Sequence, residues 1–588
     1  MRRLWKYMEG RKRFAALMVL VGAGNAAAQT GGWLIVRYAI DHGIAVYKGT
    51  GTQKVLVGNE RQLTIAVGVY LGVAAAGWLL QARLIRGLAT IGQAVVIGLR
   101  RDLFDHLTGL SLRYFSQQKA GWIIARLTSD VDAVSDVLSQ GMPTLISNVI
   151  LLPAAVAALL IDDWRLGLIS FGVLPPALVL SRWFQRVSHA ANVEQRNRIA
   201  AVTAQIAESV AGMAVVQAFN RERRFQTEFD ALNDANRAQA TYVQKIFSTF
   251  FPSIEFLGVL AMGAVVYFGS HLYRQDTLTI GTLITAIYLL QLVFQPLQEL
   301  SDVYGQLQSA SAAMVKIASI LDEESEIHDR PGATPLPRLE GDLELDSLVF
   351  AYGKDPVLHG VSFHIEPGGC FALVGESGHG KSTLARLIGR HYDPDTGAVR
   401  VDGHDLRDVQ LRSYRRQLGV VLQDPFLFSG TIATNIRFAK PDATDEEVAA
   451  AAAAVGVDRV AARLSGGLDH EVREGGAGLS AGERQLISIA RALLADPRIL
   501  VLDEATSNID RPTEVLIERA LDRLLHGRTS IIIAHRLSTV RRADEILVVE
   551  NGQVIQRGTE QELLRADGPF RRLAHTLEGG EPDLAVAG

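Results

Sequence analysis

Apolar residues form long uninterrupted stretches in the first half of the chain, whereas short apolar runs alternate with charged residues in the second half. Four charge-free runs of 21 to 25 residues come first, at 14–36, 62–82, 137–161 and 277–298. Two more apolar runs are a 16-residue run at 166–181 and the run 246–273, which only Glu255 interrupts. Because about 20 apolar residues of helix cross a bilayer core of ~30 Å, we predict six transmembrane helices.

The basic residues that flank these runs predict the orientation of the chain in the membrane. Six lie in the first 13 residues, seven in 83–136 and nine in 182–245, whereas the opposite connections hold five. By the positive-inside rule, the N-terminus and the C-terminal half face the cytoplasm of a multi-pass protein of the cell (inner or plasma) membrane. A cleaved secretory signal is the alternative for the N-terminus, but the apolar run there continues to Val36, beyond the length of a signal core.

The longest inner connection, 182–245, has one glycine, Gly212, and no proline, and is rich in Ala, Gln, Arg and Glu. This composition favours helix. We therefore expect the spans to continue as helices into the cytoplasm and to return, which leaves little support for the alternative of an inserted soluble domain.

Composition narrows the classes of function. The chain has 588 residues, 48% of them hydrophobic, and its 59 basic against 63 acidic residues give a net charge of −4. So much apolar surface excludes a disordered chain, and the charge balance gives no reason to expect a nucleic-acid partner. The single cysteine, Cys370, excludes a disulfide framework or a cysteine zinc site within one chain.

From about Gly341 the pattern is that of an α/β nucleotide-binding domain. Residues 370–374 predict a buried strand with Cys370 in the core. The pattern GxxxxGK[ST] follows directly, as Gly375, Glu376, Ser377, Gly378, His379, Gly380, Lys381, Ser382 and Thr383. In such a phosphate loop the backbone N–H groups surround phosphates at a helix N-terminus, a lysine adds charge, and a hydroxyl, here that of Ser382, can bind Mg²⁺.

A second apolar strand, Ile499–Asp503, ends in a carboxylate and is followed by Glu504. Strand ends of this kind lie at the edge of the sheet beside the phosphate loop. We expect Asp503 to bind the metal and Glu504 to orient or deprotonate the attacking water.

The segment 479–485, Leu-Ser-Ala-Gly-Glu-Arg-Gln, lies between these two motifs. Phosphate loop, LSxG-type signature and Asp503-Glu504, in this order and behind six spans, resemble an ATP-binding cassette (ABC) half-transporter of the exporter type, similar to multidrug and lipid exporters. Softer similarities occur at 37–41, 125–132 and 216–222. The resemblance covers nearly the whole chain.

The resemblance implies ATP and Mg²⁺ as cofactors and further site residues. Tyr352 matches the aromatic residue that stacks on adenine, and Gln423 the glutamine that reaches Mg²⁺ and senses the transmembrane part. Ser480 and Gly482 match the residues that contact the γ-phosphate on the opposite cassette, so the architecture requires a dimer. His535 matches the histidine that holds the γ-phosphate and positions the water.

Three positions depart from the family pattern: Ala481 replaces a glycine, Glu483 a glutamine and Asn508 a small residue. Segment 507–510 occupies the place of the loop that joins the two ATP sites. The catalytic positions are otherwise intact, so the chain is not the degenerate half of an asymmetric pair. The departures nevertheless favour a heterodimer slightly over a homodimer.

The predicted fold class is an all-α six-helix membrane domain followed by an α/β phosphate-loop NTPase domain. We place the first at 1–322, a linker at 323–340, the ABC domain at 341–578 and a flexible tail at 579–588. The expected function is ATP-driven alternating-access export, from the cytoplasm, of an amphipathic or hydrophobic small molecule, drug or lipid, with membrane lipids around the spans. The alternatives are an importer of the same fold, for example of metal chelates, and an ATP-gated channel or regulator. Glu255, the carboxylate deep within a span, is a candidate substrate contact; its other interpretation is an interhelical hydrogen bond or a place near the inner interface.

Overall fold

The computed structural model describes residues 4–7, 10, 12–44, 47, 48, 55, 56, 58–172, 174–275, 277–503, 510–534 and 536–577. The chain divides into two compact units. The first comprises residues 1–108 and 120–322, and the second comprises residues 109–119 and 323–588. The short piece 109–119 comes from the predicted inner connection after the second span, yet it packs as part of the second unit.

The first part of the chain is helical apart from the short antiparallel strands Tyr47–Lys48 (β1) and Val55–Leu56 (β2). The helices are Leu4–Tyr7 (α1), Lys12–Ala39 (α2), Glu60–Gly109 (α3), Leu112–Gln117 (α4), Ala120–Ala125 (α5), Val131–Asp136 (α6), Met142–Asp162 (α7), Trp164–Phe171 (α8), Leu174–Ala211 (α9), Met213–Ala218 (α10), Glu222–Arg274 (α11) and Ile280–Leu321 (α12). Short π-helical segments at Ile40–Ile44, Arg126–Asp130 and Val137–Gly141 continue the neighbouring helices.

The described helices agree with the predicted spans. Five helical segments are long and apolar enough to cross a membrane: Lys12–Ile44, Glu60–Gly109, Ala120–Asp162, Trp164–Ala211 and Glu222–Arg274. The sixth predicted span falls at the start of α12, where the apolar stretch recognised is the shorter Ile280–Val293. At 1.5 Å per residue the 50 residues of α3 extend about 75 Å, far more than a bilayer core, so this helix continues beyond the membrane.

The predicted helical extension after the fourth span is confirmed. Helices α9 and α11 lie against each other, and the ring of Phe184 stacks on that of Phe250 with a centroid distance of 3.9 Å. Farther along the pair, Gln195 Nε2 donates to Asn236 Oδ1 at 3.0 Å. The short helix α10 joins them, and no inserted domain occurs within the described residues 182–245.

A polar cluster joins three helix ends that the orientation places on the outer side. The guanidinium of Arg37 pairs with Asp162 at the end of α7 and with Asp41, whose Oδ2 lies 3.6 Å from Nε. Asp41 also accepts hydrogen bonds from Thr279 Oγ1 at 2.7 Å and from the Gly281 amide at 2.8 Å, at the start of α12. The first and third spans end at this cluster and the sixth begins there. This agrees with the predicted orientation, in which all three of these helix ends lie on the outer side.

The second unit contains two main sheets and a small two-stranded one, β9 with β10. The strands are Leu343–Ala351 (β3), Pro356–Ile365 (β4), Cys370–Val374 (β5), Thr396–Val401 (β6), His404–Asp405 (β7), Leu418–Val421 (β8), Gly430–Thr431 (β9), Glu471–Val472 (β10), Ile499–Asp503 (β11), Thr529–Ile533 (β12), Glu545–Glu550 (β13) and Gln553–Gly558 (β14). The six-stranded sheet has the order β14-β13-β5-β12-β11-β8 and is parallel except for β14. The four-stranded sheet, β4-β3-β6-β7, is antiparallel.

Helices cover the parallel strands. They are Lys381–Ile388 (α13), Leu411–Arg415 (α14), Ile432–Arg437 (α15), Asp445–Val455 (α16), Val457–Ala461 (α17), Ala481–Leu494 (α18), Arg511–Leu525 (α19), Leu537–Val540 (α20), Glu560–Arg565 (α21) and Pro569–Leu577 (α22). Cys370 lies in the core, as predicted, and burial raises the pKa of its thiol to about 12.

The segment 323–340, expected as a linker, packs on the second unit. Thr334 bridges to Val409, and the side chains of Leu336 and Leu339 are buried in the hydrophobic core that includes β3 and β4. The expected tail 579–588 lies outside the described residues.

Gly281→Ala is expected to destabilise the membrane unit. A Cβ at this position would lie 2.5 Å from Asp41 Oδ1 and 2.7 Å from the Arg37 carbonyl oxygen, so the outer cluster must shift at a cost of about 1–3 kcal/mol. Thermal unfolding in detergent should occur at a lower temperature. Gly31→Ala is the control, because its Cβ would meet nothing within 4 Å. Equal unfolding temperatures for the two variants would contradict the role of the cluster.

Candidate functional site

Parallel pairing brings the predicted catalytic motifs to one edge of the six-stranded sheet. Asp503, the last residue of β11, is in register with Ile533 of β12, and Ile533 with Leu373 of β5. The phosphate loop begins two residues after Leu373, at Gly375. Because parallel strands end on the same side, Asp503 and the phosphate loop share this edge, with β12 between their strands.

Two loop positions require glycine for steric reasons. A Cβ on Gly375 would lie 2.2 Å from the Val549 carbonyl oxygen. Gly380 has φ of +100°, and its Cβ would lie 2.7 Å from Leu358 Cδ2. The backbone therefore turns tightly into the N-terminus of α13, where the first-turn N–H groups have no partner within the helix and favour an anion.

The ammonium group of Lys381 is hydrogen-bonded to the backbone of the phosphate loop. Its Nζ donates to the carbonyl oxygens of Gly375 at 2.6 Å and Glu376 at 2.8 Å. Burial lowers the pKa of this lysine, and the negative charges of Asp503 and Glu376 oppose the shift. A phosphate in the loop offers this buried cation a stronger acceptor than the two neutral carbonyl groups.

The other loop residues are mostly accessible. Glu376, Ser377 and Gly378 are exposed, and His379 Nε2 lies 3.8 Å from Glu376 Oε2. The side chain of Ser382 is exposed near the start of α13, where its hydroxyl is available to a ligand.

The predicted adenine-stacking residue lies beside the loop helix. Tyr352 Oη donates to Thr383 Oγ1 at 3.2 Å and accepts from Arg386 Nη1 at 3.0 Å. Its ring packs edge-on against Phe350 and Tyr392, with centroid distances of 4.9 and 5.2 Å. These contacts fix the ring next to Thr383, the last residue of the loop motif.

Gln423 follows β8 and lies at the same edge. Its strand is in register with β11, with Val421 opposite Leu502, so Gln423 emerges on the side where Asp503 ends. Its side chain is exposed. The described geometry thus brings Gln423, Asp503 and the phosphate loop to one edge of the sheet.

The signature segment forms the N-terminus of α18. In the sequence it lies apart from the phosphate loop, Gln423 and Asp503. Ser480 is the N-cap: its Oγ accepts from the Glu483 amide at 3.2 Å, and Glu483 Oε2 accepts from the Ser480 amide at 2.8 Å. This capping box satisfies two end donors and holds the first turn. Gly482 is buried in that turn. Arg463 Nη2 donates to the other oxygen of Glu483, Oε1, at 2.9 Å.

Glu504 and His535 lie outside the described residues, as does the segment 507–509 of the predicted connecting loop. Asp503, which precedes Glu504, is the last residue of β11, and Ala534, which precedes His535, directly follows β12. Among the described residues, no cluster of three or more His, Cys, Asp or Glu side chains forms a preassembled metal site.

The segment 109–119 places Arg113 next to the predicted adenine side. Arg113 donates to Glu326 Oε1 at 2.8 Å and to the carbonyl oxygen of Ala351 at 3.2 Å, and its guanidinium lies 5.9 Å from the Tyr392 ring centroid. Tyr392 in turn packs on Tyr352. Segment 109–119 thus contacts Ala351, the last residue of β3, which directly precedes Tyr352.

Among the described residues of the membrane unit, two cavities share Gln29 and Gln81. One, of about 380 Å³, also has Trp33, Tyr70 and Trp78 in its wall. The other, of about 370 Å³, includes Asn148, Glu299 and the hydroxyls of Ser139 and Ser147. Asn148 Nδ2 donates to Glu299 Oε2 at 2.8 Å. Glu255 is exposed on α11 and is not among the residues lining these two cavities.

Comparison with known proteins assigns the family. Residues 20–297 match the family described as ABC transporter transmembrane region, and residues 358–507 match the family described as ABC transporter. A fatty acid ABC transporter ATP-binding/permease protein of Mycobacterium bovis is 36% identical, over 90% of this chain and 83% of the relative. The chain belongs to the ABC transporter family. An ATP-dependent lipid A-core flippase of Syntrophus aciditrophicus is 34% identical over 84% of this ABC transporter and 82% of the relative.

A solved structure extends the similarity to the whole fold. A bacterial Atm1-family ABC exporter with ATP bound superimposes with a TM-score of 0.78 at 28% identity, over 98% of this chain and 99% of that chain. The predicted fold class, a helical membrane domain followed by a phosphate-loop ATPase domain, is confirmed. The chain is an integral multi-pass ABC half-transporter with a cytoplasmic ATP-binding domain, and ATP hydrolysis drives export. The importer alternative is not favoured.

Two side chains were not singled out from the sequence. Glu299 directly follows the charge-free run 277–298, and this position does not by itself indicate that it lines a cavity. Arg113 lies in a basic inner connection, where it counted only toward orientation. Their positions differ: Glu299 lies within α12, whereas Arg113 lies at the start of α4, directly after the long helix α3.

His391 should make the cassette acid-sensitive. Burial, with the positive charges of Arg415 and Arg386, lowers the pKa of His391 from 6.5 to about 4. Protons therefore bind the unfolded chain more readily, so this stability is present above pH ~6.5 and is lost as the pH falls towards 4.

Between pH 7 and 5 the wild-type protein should lose about 1–2 kcal/mol more stability than His391→Asn. Chemical unfolding of the full chain in detergent at both pH values measures the difference. His526→Asn, at an exposed position, should keep the wild-type pH dependence. An unchanged pH dependence in His391→Asn would contradict the assignment.

Proposed function

We propose that this chain is one half of a dimeric exporter that moves an amphipathic or hydrophobic small molecule, drug or lipid out of the cytoplasm. The observation that carries the substrate class is the pair of cavities, which combine aromatic rings with amide and carboxylate groups. Such a surface suits a molecule with both an apolar body and a polar head. The names of the relatives, which refer to a fatty acid and to lipid A-core, support the same class.

We propose that the phosphate loop holds the ATP phosphates, with Lys381 as the fixed charge and Tyr352 stacked on the adenine. Oxygen ligands suit Mg²⁺, and Ser382, Gln423 and Asp503, at one edge of the sheet, would supply three of them. When bound, Mg²⁺ neutralises charge on the phosphates. Glu504 orients or deprotonates the attacking water, and His535 holds the γ-phosphate.

ATP binding closes the dimer because the two walls of each site come from different chains. Ser480 and Gly482 of one half contact the γ-phosphate that the other half holds, a contact that only the closed state makes. Shifting a two-state carrier from 1:99 to 99:1 needs about 5.5 kcal/mol of differential binding. Phosphate contacts divided between two chains provide such a preference, and hydrolysis removes it.

The second half is another ABC half-transporter, and we favour a different chain over an identical one. The altered signature positions Ala481 and Glu483, together with Asn508, support a paired half. Purification of the tagged chain from its own host tests this directly. Two co-purifying half-transporter bands are expected, and a single band would indicate a homodimer.

Glu504→Gln is the test of the ATPase assignment. The amide keeps the shape of the side chain but cannot act as a base, so hydrolysis should fall by at least about 100-fold while ATP still binds. Closed dimers should accumulate with ATP, measurable by cross-linking across the dimer. Glu518→Gln, at a partly exposed position on α19, is the control. Normal turnover in Glu504→Gln would refute the assigned role.

Glu299→Gln tests the substrate cavity. Loss of the carboxylate should raise the concentration of a cationic amphipath needed to stimulate ATPase activity by about three- to tenfold, and neutral lipids should be less affected. Transport into inside-out vesicles gives an independent measure and the direction. Glu255→Gln is the matched comparison within a span. If only Glu255→Gln alters the profile, the substrate contact lies on α11 and not in the cavity.

A further inference from the structure

Glu483 adds a negative charge at the N-terminus of α18, the helix that begins with the signature segment. It places a carboxylate in the first turn of α18, at the end that, in the proposed function, approaches the γ-phosphate held by the second half. A carboxylate at a helix N-terminus stabilises the helix, but it repels a phosphate that approaches the same end. A neutral glutamine at this position could close the same capping box without the charge.

Both oxygens of Glu483 are engaged within the cassette. Oε2 accepts the Ser480 amide at 2.8 Å, and Oε1 accepts Arg463 Nη2 at 2.9 Å. The Glu483 side chain is 18% exposed, whereas that of Arg463 is 68% exposed. The carboxylate is thus fixed by the cap on one side and covered by a guanidinium on the solvent side.

Arg463 also contributes positive charge towards the connecting loop. Hydrogen bonds from Thr513 lower the pKa of Asp510, and the charge of Arg463 adds to this effect. Asp510 is the N-cap of α19 and the last residue of the segment 507–510 that is predicted to join the two ATP sites. Arg463 therefore lies near two carboxylates on the part of the cassette that, in the proposed function, approaches the partner.

We propose that Arg463 is a positioning residue for ATP-driven dimer closure: it neutralises Glu483, so that the N-terminus of α18 keeps its attraction for the γ-phosphate on the opposite half. The proposal rests on the proposed function of the signature. The proposal also explains how an acidic residue is compatible with an anion site. The charges of Arg463 and Glu483 cancel, so the helix dipole and the first-turn N–H groups determine the electrostatic potential at the helix end.

The test is a double-mutant cycle on the purified full-length transporter with its partner half. Arg463→Gln should raise the KM for ATP about three- to tenfold with less than about twofold change in kcat, because it exposes the charge of Glu483. In a Glu483→Gln background the same substitution should change KM by less than about 1.5-fold. Arg463→Lys should restore most of the affinity, and the Arg463→Gln effect should shrink in 0.5 M salt.

Arg459→Gln is the matched control. Arg459 is an exposed arginine four residues earlier, on α17, and its loss changes the net charge equally. Its KM for ATP should stay within about 1.5-fold of the wild-type value. Equal KM increases from Arg463→Gln with and without Glu483 would show a structural role independent of the carboxylate and overturn the proposal. An unchanged KM in Arg463→Gln would overturn it as well.

Ser480→Arg separates this proposal from the proposed function. If the signature meets the opposite ATP, a bulky cation at Ser480 should abolish ATP-dependent closure whatever stands at Arg463. Unaffected closure and hydrolysis in Ser480→Arg would refute the role of the signature itself. Loss of activity in Ser480→Arg combined with an unchanged KM in Arg463→Gln would leave the exporter mechanism standing and refute only the charge compensation.

Discussion

The parallel pairing of β5, β12, β11 and β8 is the constraint on which the ATPase site depends. Register along these strands places Asp503 at the edge from which the phosphate loop and Gln423 emerge, although they are far apart in the chain. The buried ammonium of Lys381, held by two loop carbonyls, is then the fixed charge at that edge. The sheet thus orients these described parts of the site relative to one another.

The membrane unit is constrained differently: lipid offers no hydrogen-bond partner, so its polar groups must find partners within the protein. Its helices satisfy their backbones internally, and several described side-chain polar contacts link different spans. Arg37, Asp41 and Asp162 close one end, and Asn148 holds Glu299 at a cavity wall. Polar groups that pair across helices stabilise one arrangement of the spans, and those that line a cavity remain available to a solute.

The sequence predicted features that depend on local pattern and missed those that depend on contacts. Long apolar runs located the spans, and the glycine spacing of the phosphate loop predicted the strand, turn and helix around Lys381. The attachment of 323–340 to the cassette core was not predictable, because Leu336 and Leu339 look like isolated apolar residues in a polar stretch. The contacts of Arg113 were not predictable either, because its partners, Glu326 and Ala351, are more than 200 residues away in the chain.

Glu483, which replaces the usual glutamine of the signature, shows how a substitution can preserve the local fold and still change the charge at a binding site. A capping box accepts glutamate or glutamine at its third position, so Glu483 holds the first turn of α18 as a glutamine would. What changes is the field at the helix end, and Arg463 offsets that change from the solvent side. In a heterodimer whose other half lacks this ion pair, the two composite ATP sites would bind ATP with different affinities. One surface ion pair can thus make the hydrolysis cycle asymmetric without any change in the catalytic residues of this half.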